Sequence, residues 1–245
     1  MSTAFDSESV EYLDNYMEVY KISSSDISNI PLMTQIAKKN KPIIMSTGAS
    51  DVEEIDAAIK LIKKYNDKQL TLLHCVLEYP TPYGHANLLK IVSLKERYPD
   101  CIIGYSDHTK PDENMDVLKT AFLYGAQVIE KHFTLDKSIK KKNDHFHSMD
   151  CADLAKAKKG IDFLKTLSGN GNLVCLESER TTRASVRRSA VALVDIEKCE
   201  ILTEDKIIFK RPGNGITPQK IGNILGKKAN KRIEKDSLLE EAWFE

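Results

Sequence analysis

"IIGYSDHT" (102–109) and "VIEKHFT" (128–134) are the stretches that decide the fold of this 245-residue chain. Each begins as a short apolar run of strand length and ends in polar residues that include a histidine. Three similar runs precede them, namely "VYKIS" (19–23), "KPIIMST" (41–47) and "LTLLHCV" (70–76). Short runs that are apolar on both faces are typical of parallel strands covered by helices. The sequence therefore predicts one parallel sheet.

Stretches of helical character lie between these runs, at 51–65, 86–98 and 113–124, where apolar residues recur at three- and four-residue spacing. Alternating strands and helices predict an α/β fold of the (β/α)8 TIM-barrel type. We count five complete strand–helix units, and "STAF" (2–5) matches the end of an earlier strand. Because eight strands close such a barrel, we expect a TIM barrel lacking its first strands, with open sheet edges and poor solubility.

The alternating pattern ends near residue 167, which gives a partial-barrel domain at 1–167. Residues 168–188 form a predicted linker, rich first in glycine, asparagine and serine and then in charge. Residues 189–245 contain short strand candidates and no long helical pattern. We expect a small, mostly β domain there.

Composition excludes several classes of partner. Lysine plus arginine equals aspartate plus glutamate at 36 each, so no nucleic-acid partner is expected. No apolar stretch approaches the roughly 18–20 residues of a membrane helix, so no membrane partner is expected. Five cysteines without CxxC spacing fit a reducing compartment, and we predict a cytoplasmic protein.

The polar residues that follow the strands are candidates for an active site. Ser106 and His108 share one face of their strand, as do Glu130 and His132. In a (β/α) barrel the active site lies at the carboxyl ends of the strands, so the two histidines can converge there. Imidazole and oxygen ligands together are typical of a catalytic metal site. Spacing alone leaves open whether these are metal ligands or ordinary strand-end histidines.

A second candidate is an anion site. Lys21 lies beside serines in "KISSS" (21–25), and "STG" (46–48) precedes a predicted helix. A lysine, hydroxyl groups and a helix N-terminus all suit a phosphate or carboxylate. The alternative is a strand lysine that merely reaches solvent.

Together these segments resemble the sialic acid synthase family. The resemblance rests on "GYSDHT" (104–109), "EKHF" (130–133) and "KRPGNGI" (210–216), in family order, with further matches along nearly the whole chain. It implies a (β/α)8 barrel followed by an antifreeze-like (SAF) domain at 189–245. It also implies a reaction in which phosphoenolpyruvate condenses with an N-acyl hexosamine such as N-acetylmannosamine, releasing phosphate, with Mn²⁺ or Mg²⁺ as cofactor.

The resemblance also implies roles for individual residues. His108 and His132 are the expected metal ligands. Glu130 and Asp144 are the expected catalytic carboxylates; Glu130 orients water or the metal, and Asp144, like Tyr79, faces the sugar. Arg211 is expected to reach the sugar's N-acyl group in the partner's barrel, which implies a domain-swapped homodimer. The positions expected to bind phosphoenolpyruvate are Thr3, Lys21, Ser24, Ser46 and Ser106.

Some positions depart from the family pattern. Leu77 stands where the family has an asparagine, which suggests a different acylamino sugar such as a legionaminic or pseudaminic acid precursor. Cys199 stands where a turn glycine is usual. His145 and His147 are expected to line a loop rather than to hold a second metal, because no further histidine or cysteine has ligand spacing.

Two alternatives to the synthase stay open. Family members carry an earlier segment with an acidic residue and a lysine that serve the active site. Without it, this chain could be a catalytically inactive fragment that acts as a carbohydrate-binding or dimerisation module. A metal-dependent hydrolase on a barrel would explain the two histidines, but not the lysine with its hydroxyl groups.

Overall fold

Six parallel strands form the framework of the first of two units in the computed structural model, which describes residues 1–139 and 144–245. This unit spans 1–169. Its strands pair in chain order, each parallel to the next, as the predicted (β/α) repeat requires. The strands are β1 Ser2–Thr3, β2 Tyr20–Ile22, β3 Ile43–Ser46, β4 Leu70–Cys75, β5 Ile102–Asp107 and β6 Val128–Lys131.

Helices connect these strands, and the three predicted helical stretches are confirmed. The α3 helix begins after Asp51, whose backbone N–H donates to Glu54 Oε2 at 2.9 Å, closing the first turn. The α5 helix ends before Gly125, which has a φ of +101° that favours glycine. The helices are α1 Ser7–Leu13, α2 Ile30–Lys38, α3 Val52–Tyr65, α4 Leu89–Arg97, α5 Asp116–Leu123 and α6 Cys151–Ser168. Within the described part of the chain, no helix has the length and apolar character needed to cross a bilayer.

The strand register gives the sheet two different faces. Residues directly opposite one another on neighbouring strands point to the same side. The outer face packs against the helices to form the main core, with Tyr20, Met45, Leu72 and Tyr105 almost fully buried. The opposite face, called here the inner face, carries the registered pairs Thr3–Lys21, Ser46–Leu73, Cys75–Ser106 and Ser106–Glu130. The inner face is therefore polar at the carboxyl ends of the strands, where a (β/α) barrel has its active site.

The second unit spans 170–245. Its antiparallel strands β7 Ser189–Ala192 and β8 Ile207–Lys210 pair with each other, and short bridges replace longer strands elsewhere. Helix α7, Arg180–Val186, lies within the stretch that the sequence predicts to be a linker. The unit has its own core, which includes Ala190, Ile196, Leu202, Ile224 and Leu239.

Candidate functional site

Lys21, on the inner face of β2, anchors a polar network that reaches three further strands. It is only 7% exposed, and its Nζ donates to Ser46 Oγ at 2.8 Å. The same Nζ lies 3.5 Å from Glu130 Oε1, which accepts a 2.8 Å hydrogen bond from Ser106 Oγ. A buried ammonium is stable only with partners of this kind. The network therefore places a lysine–glutamate ion pair among hydroxyl groups at the carboxyl ends of the strands.

Ser24 contacts the loop that follows β3. The backbone N–H of Gly48 donates to Ser24 Oγ at 2.8 Å. A Cβ atom at Gly48 would lie 3.0 Å from each of Ser24 Oγ, Cys75 Sγ and Leu77 Cγ, so a larger residue there would require these side chains to shift. Leu77 thus lies close to Gly48, as Ser24 does. Thr3, half-buried on β1, lies opposite Lys21 in the sheet register.

His108 follows β5 with one ring nitrogen already engaged. Its Nδ1–H donates to the carbonyl oxygen of Val76 at 2.6 Å, and this bond assigns the tautomer in which Nε2 carries a lone pair. Burial lowers the pKa of His108 from its ordinary value because a charged imidazole loses hydration there. The ring is therefore held neutral, which is the form that binds a metal.

The ring of His132 lies beside that of His108, with 5.2 Å between centroids. Tyr79 packs against both, at 4.1 Å from the His108 centroid and 5.9 Å from that of His132. Burial raises the pKa of the Tyr79 phenol, so this hydroxyl stays protonated at neutral pH. The predicted convergence of two histidines at the end of the sheet is thus present in the structure.

Asp144 lies next to His132. Its Oδ2 is 3.3 Å from His132 Nδ1, and the carboxylate is 57% exposed. The sequence places Asp144 directly after residues 140–143, which are outside the described part of the chain. A carboxylate beside an imidazole orients the ring and adds a hard oxygen donor.

His147 lies in the loop between β6 and α6, as the sequence predicts, but its packing against His132 is not predicted. It is fully buried, and its ring centroid lies 5.1 Å from that of His132 and 5.8 Å from that of Tyr79. Burial lowers its pKa from the ordinary value. The signal in the sequence is the three-residue step from Asp144 to His147, which returns a side chain to the same side of a helical turn.

These donors fit a divalent metal ion. Among the described residues, one ligand atom from each of His132, Asp144 and His147 lies within 4.8 Å of the other two. His108 is not part of this set, although its ring packs against that of His132. Imidazole and carboxylate donors together suit borderline transition ions.

A buried ion pair supports the site from the outer face of the sheet. Lys131 Nζ contacts Asp107 Oδ2 at 2.5 Å, and the two side chains are 0% and 1% exposed. Asp107 also accepts from Tyr105 Oη at 3.0 Å and from the backbone N–H of Thr109 at 2.8 Å. Each member of the pair precedes one of the two histidines, His108 or His132, in the chain.

Arg211 lies in the second unit, directly after β8, and its side chain is exposed. An exposed guanidinium is available to a ligand or to another chain.

Known proteins with related sequences match both units. The model of the NeuB family matches residues 1–173, and that of the SAF domain matches 187–244. The N,N'-diacetyllegionaminic acid synthase of Campylobacter jejuni is 39% identical over 244 residues, which cover 98% of this chain and 72% of that protein. The pseudaminic acid synthase of the same species is 35% identical, over 99% of this chain and 69% of that protein.

A solved structure has the same architecture. The putative spore coat polysaccharide biosynthesis protein E from Chromobacterium violaceum superposes with a TM-score of 0.85 at 30% identity. The match covers 99% of this chain and 72% of that one. The fold predicted from the sequence, a TIM-barrel-type unit followed by a SAF domain, is thereby confirmed.

Proposed function

Since the chain belongs to the NeuB family and carries a SAF domain, we propose that it condenses phosphoenolpyruvate with an N-acyl hexosamine to give a nonulosonic acid and phosphate. The observation that carries this proposal is the placement of two sites on one face of the sheet. The buried Lys21 network suits a phosphorylated carboxylic acid, and the histidine cluster beside it suits a sugar bound through a metal.

Lys21 and the hydroxyl groups around it bind phosphoenolpyruvate in this proposal. The ammonium supplies charge, and Ser24, Ser46 and Ser106 supply short hydrogen bonds to phosphate or carboxylate oxygens. Thr3 completes the set from β1. Glu130 accepts a hydrogen bond from Ser106 and pairs with Lys21. A bound phosphoenolpyruvate therefore competes with Glu130 for the ammonium of Lys21.

His108 and His132 hold the divalent ion, Mn²⁺ or Mg²⁺. When bound, such an ion supplies Lewis acidity at the aldehyde oxygen of the open-chain sugar. The bond from Nδ1 of His108 to Val76 fixes the imidazole before any ion arrives.

The remaining side chains orient the reactants. C3 of phosphoenolpyruvate forms a bond to the aldehyde carbon, water adds at C2, and phosphate departs. Glu130, within reach of both Lys21 and Ser106, orients that water. Asp144 and Tyr79 face the sugar, where a carboxylate and a phenol can bind its hydroxyl groups.

The sugar in this proposal carries two acetamido groups. The relative that makes N,N'-diacetyllegionaminic acid is 39% identical, which supports that choice over N-acetylmannosamine. Leu77, where the family has an asparagine, presents an apolar side chain that is 40% exposed. Such a surface suits an acetamido methyl group rather than a hydroxyl group.

The complete site in this proposal belongs to a homodimer in the cytoplasm. Arg211 reaches the N-acyl oxygen of a sugar bound in the partner's barrel, because a guanidinium donates several hydrogen bonds to carbonyl oxygens. The domains proposed are 1–167, a linker at 168–188, and 189–245.

Phosphate release from phosphoenolpyruvate tests the function directly. The chain is assayed with Mn²⁺ or Mg²⁺ and a panel that includes N-acetylmannosamine and diacetamido hexoses, with His132→Ala as control. We expect release that needs both sugar and metal, is fastest with a diacetamido sugar, and is lost in the variant. Absence of release with every sugar in a folded protein would contradict the proposal and favour a binding or dimerisation module.

A further inference from the structure

His147 is a buried side chain without a partner. It is 0% exposed, and neither Nδ1 nor Nε2 has a hydrogen-bond partner among the described residues. Buried polar groups in native proteins are nearly always satisfied. An imidazole enclosed in this way implies a bonding partner that is not an atom of the described chain.

The surroundings of His147 show where such a partner would bind. Nε2 of His147 lies 3.9 Å from Asp144 Oδ1, and Oδ2 of the same carboxylate lies 3.3 Å from His132 Nδ1. Metal–imidazole bonds are about 2.0–2.1 Å long, so two donors on opposite sides of one ion are separated by about 4.2 Å. The ligand atoms of the cluster lie within 4.8 Å of one another, so small side-chain movements would bring all three to one ion.

Aromatic rings cover the His147 side of this position. The His147 ring lies 5.0 Å from that of Phe146 and 5.8 Å from that of Tyr79, in both cases edge to face. His147 therefore reaches an ion from the protein side, while the carboxylate of Asp144, which is 57% exposed, lies toward solvent.

We propose that His147 is a further metal ligand, binding the ion of the proposed site together with His132 and one oxygen of Asp144. The inference rests on the proposed function only in taking His132 as a ligand. It adds an imidazole to the pair His108 and His132, and it gives Asp144 a role at the metal as well as beside the sugar. Because imidazole favours first-row transition ions over Mg²⁺, the chain selects Co²⁺ and Mn²⁺ over Mg²⁺.

The test measures metal binding to the full chain without phosphoenolpyruvate or sugar. Titration calorimetry gives the affinities for Co²⁺, Mn²⁺ and Mg²⁺, and the visible absorption of bound Co²⁺ reports its ligand set. His147→Ala removes the ligand. His147→Gln keeps most of the volume, so that a folded variant is available if alanine leaves a damaging cavity. His85→Ala is the matched control, because His85 also pairs with a carboxylate, Glu78, but is 65% exposed.

We expect both His147 variants to lose about tenfold or more in Co²⁺ affinity, with a changed Co²⁺ spectrum. The loss for Mg²⁺ should be much smaller, and His85→Ala should match the wild type. Unchanged Co²⁺ affinity and spectrum in a folded His147 variant would overturn the inference. Phosphate release could still be observed in that case, so a failure of this inference can be told apart from a failure of the proposed function.

Discussion

Lys131 and Asp107 form an ion pair that is closed to solvent, with Nζ 2.5 Å from Oδ2. The pair joins β5 to β6 on the outer face of the sheet. On the inner face, the next residues along these strands are His108 and His132. The pair therefore fixes the separation of the two imidazoles from the outer face of the sheet, because β5 and β6 cannot shift relative to each other without breaking it.

Breaking this pair should cost both stability and metal affinity. Lys131→Met leaves Asp107 buried and unpaired, which costs about 3–5 kcal/mol. Adding Asp107→Asn should recover much of this loss, because the amide oxygen still accepts from Tyr105 and Thr109. Chemical denaturation followed by circular dichroism gives the stability, and calorimetry gives the affinity for Mn²⁺.

The control for this pair is Lys158→Met. Lys158 pairs with Asp162 at 2.7 Å but is 76% exposed, and a surface pair is worth only about 0–1 kcal/mol. A Lys131→Met protein as stable as this control would show that the buried pair does not hold the strands.

Lys21 should control the affinity for phosphoenolpyruvate rather than for metal. Lys21→Met keeps the length of the side chain and removes its charge. We expect KM for phosphoenolpyruvate to rise about tenfold or more, since a charge-assisted hydrogen bond is lost, with Mn²⁺ affinity unchanged. Lys60→Met, at an exposed position of α3, is the control. Equal KM values in the two variants would rule out Lys21 as the anion ligand.

Gly104 should be intolerant of any side chain. A Cβ atom there would lie 2.5 Å from Leu73 Cδ2 and also collide with the carbonyl oxygen of Val128. We expect Gly104→Ala to separate β5 from β6 and to cost about 1–3 kcal/mol. Gly84→Ala should have almost no effect, because no described atom lies within 4 Å of the added carbon. Equal unfolding midpoints for the two variants would contradict this account.

Acid should destabilise the protein by protonating Asp14, which accepts a hydrogen bond from Tyr20 on β2. The hydrogen bond from Lys41 holds the pKa of Asp14 below its ordinary value, with Nζ 2.7 Å from Oδ1, and Tyr20 Oη donates at 3.0 Å. A carboxyl whose pKa is lower in the folded state contributes its full stability above the unfolded value near 3.8. That contribution is lost as pH falls through the folded pKa.

The measurement compares wild type with Asp14→Asn. We expect the wild type to be more stable by about 1–2 kcal/mol near neutral pH, with the difference shrinking below about pH 4. Urea denaturation at neutral and acidic pH gives both values. A difference that is the same at both pH values would show that the charge of Asp14 contributes nothing.

Local patterns explain why much of the sheet could be predicted. Side chains alternate with a period of two, so Ser106 and His108 share a face whatever the rest of the chain does. Strand ends also follow from composition, because apolar runs stop where polar residues such as Glu130 begin. The helix after Asp51 is predicted for the same reason, since its capping residues lie within four positions of one another.

Long-range geometry explains what the sequence did not predict. His147 lies in the predicted loop, but its contact with His132 could not be predicted, because it depends on how the chain returns after β6. The bond that fixes His108 comes from the backbone of Val76, and no pattern in side-chain type encodes a backbone acceptor. Lys21 and Glu130 are 109 positions apart in the chain. Only the register of the sheet brings these two residues together.

A mixing experiment can decide whether Arg211 acts in the partner's barrel. Arg211→Ala and His132→Ala should each be inactive alone, the first without the guanidinium and the second without a metal ligand. In a heterodimer of the two, the barrel of the Arg211→Ala chain keeps His132 and receives Arg211 from the other chain. One of its two sites is then complete. Random mixing makes about half of all dimers mixed, so roughly one quarter of wild-type phosphate release should return. An arginine acting within its own chain would give no recovery, because every site would lack one of the two residues.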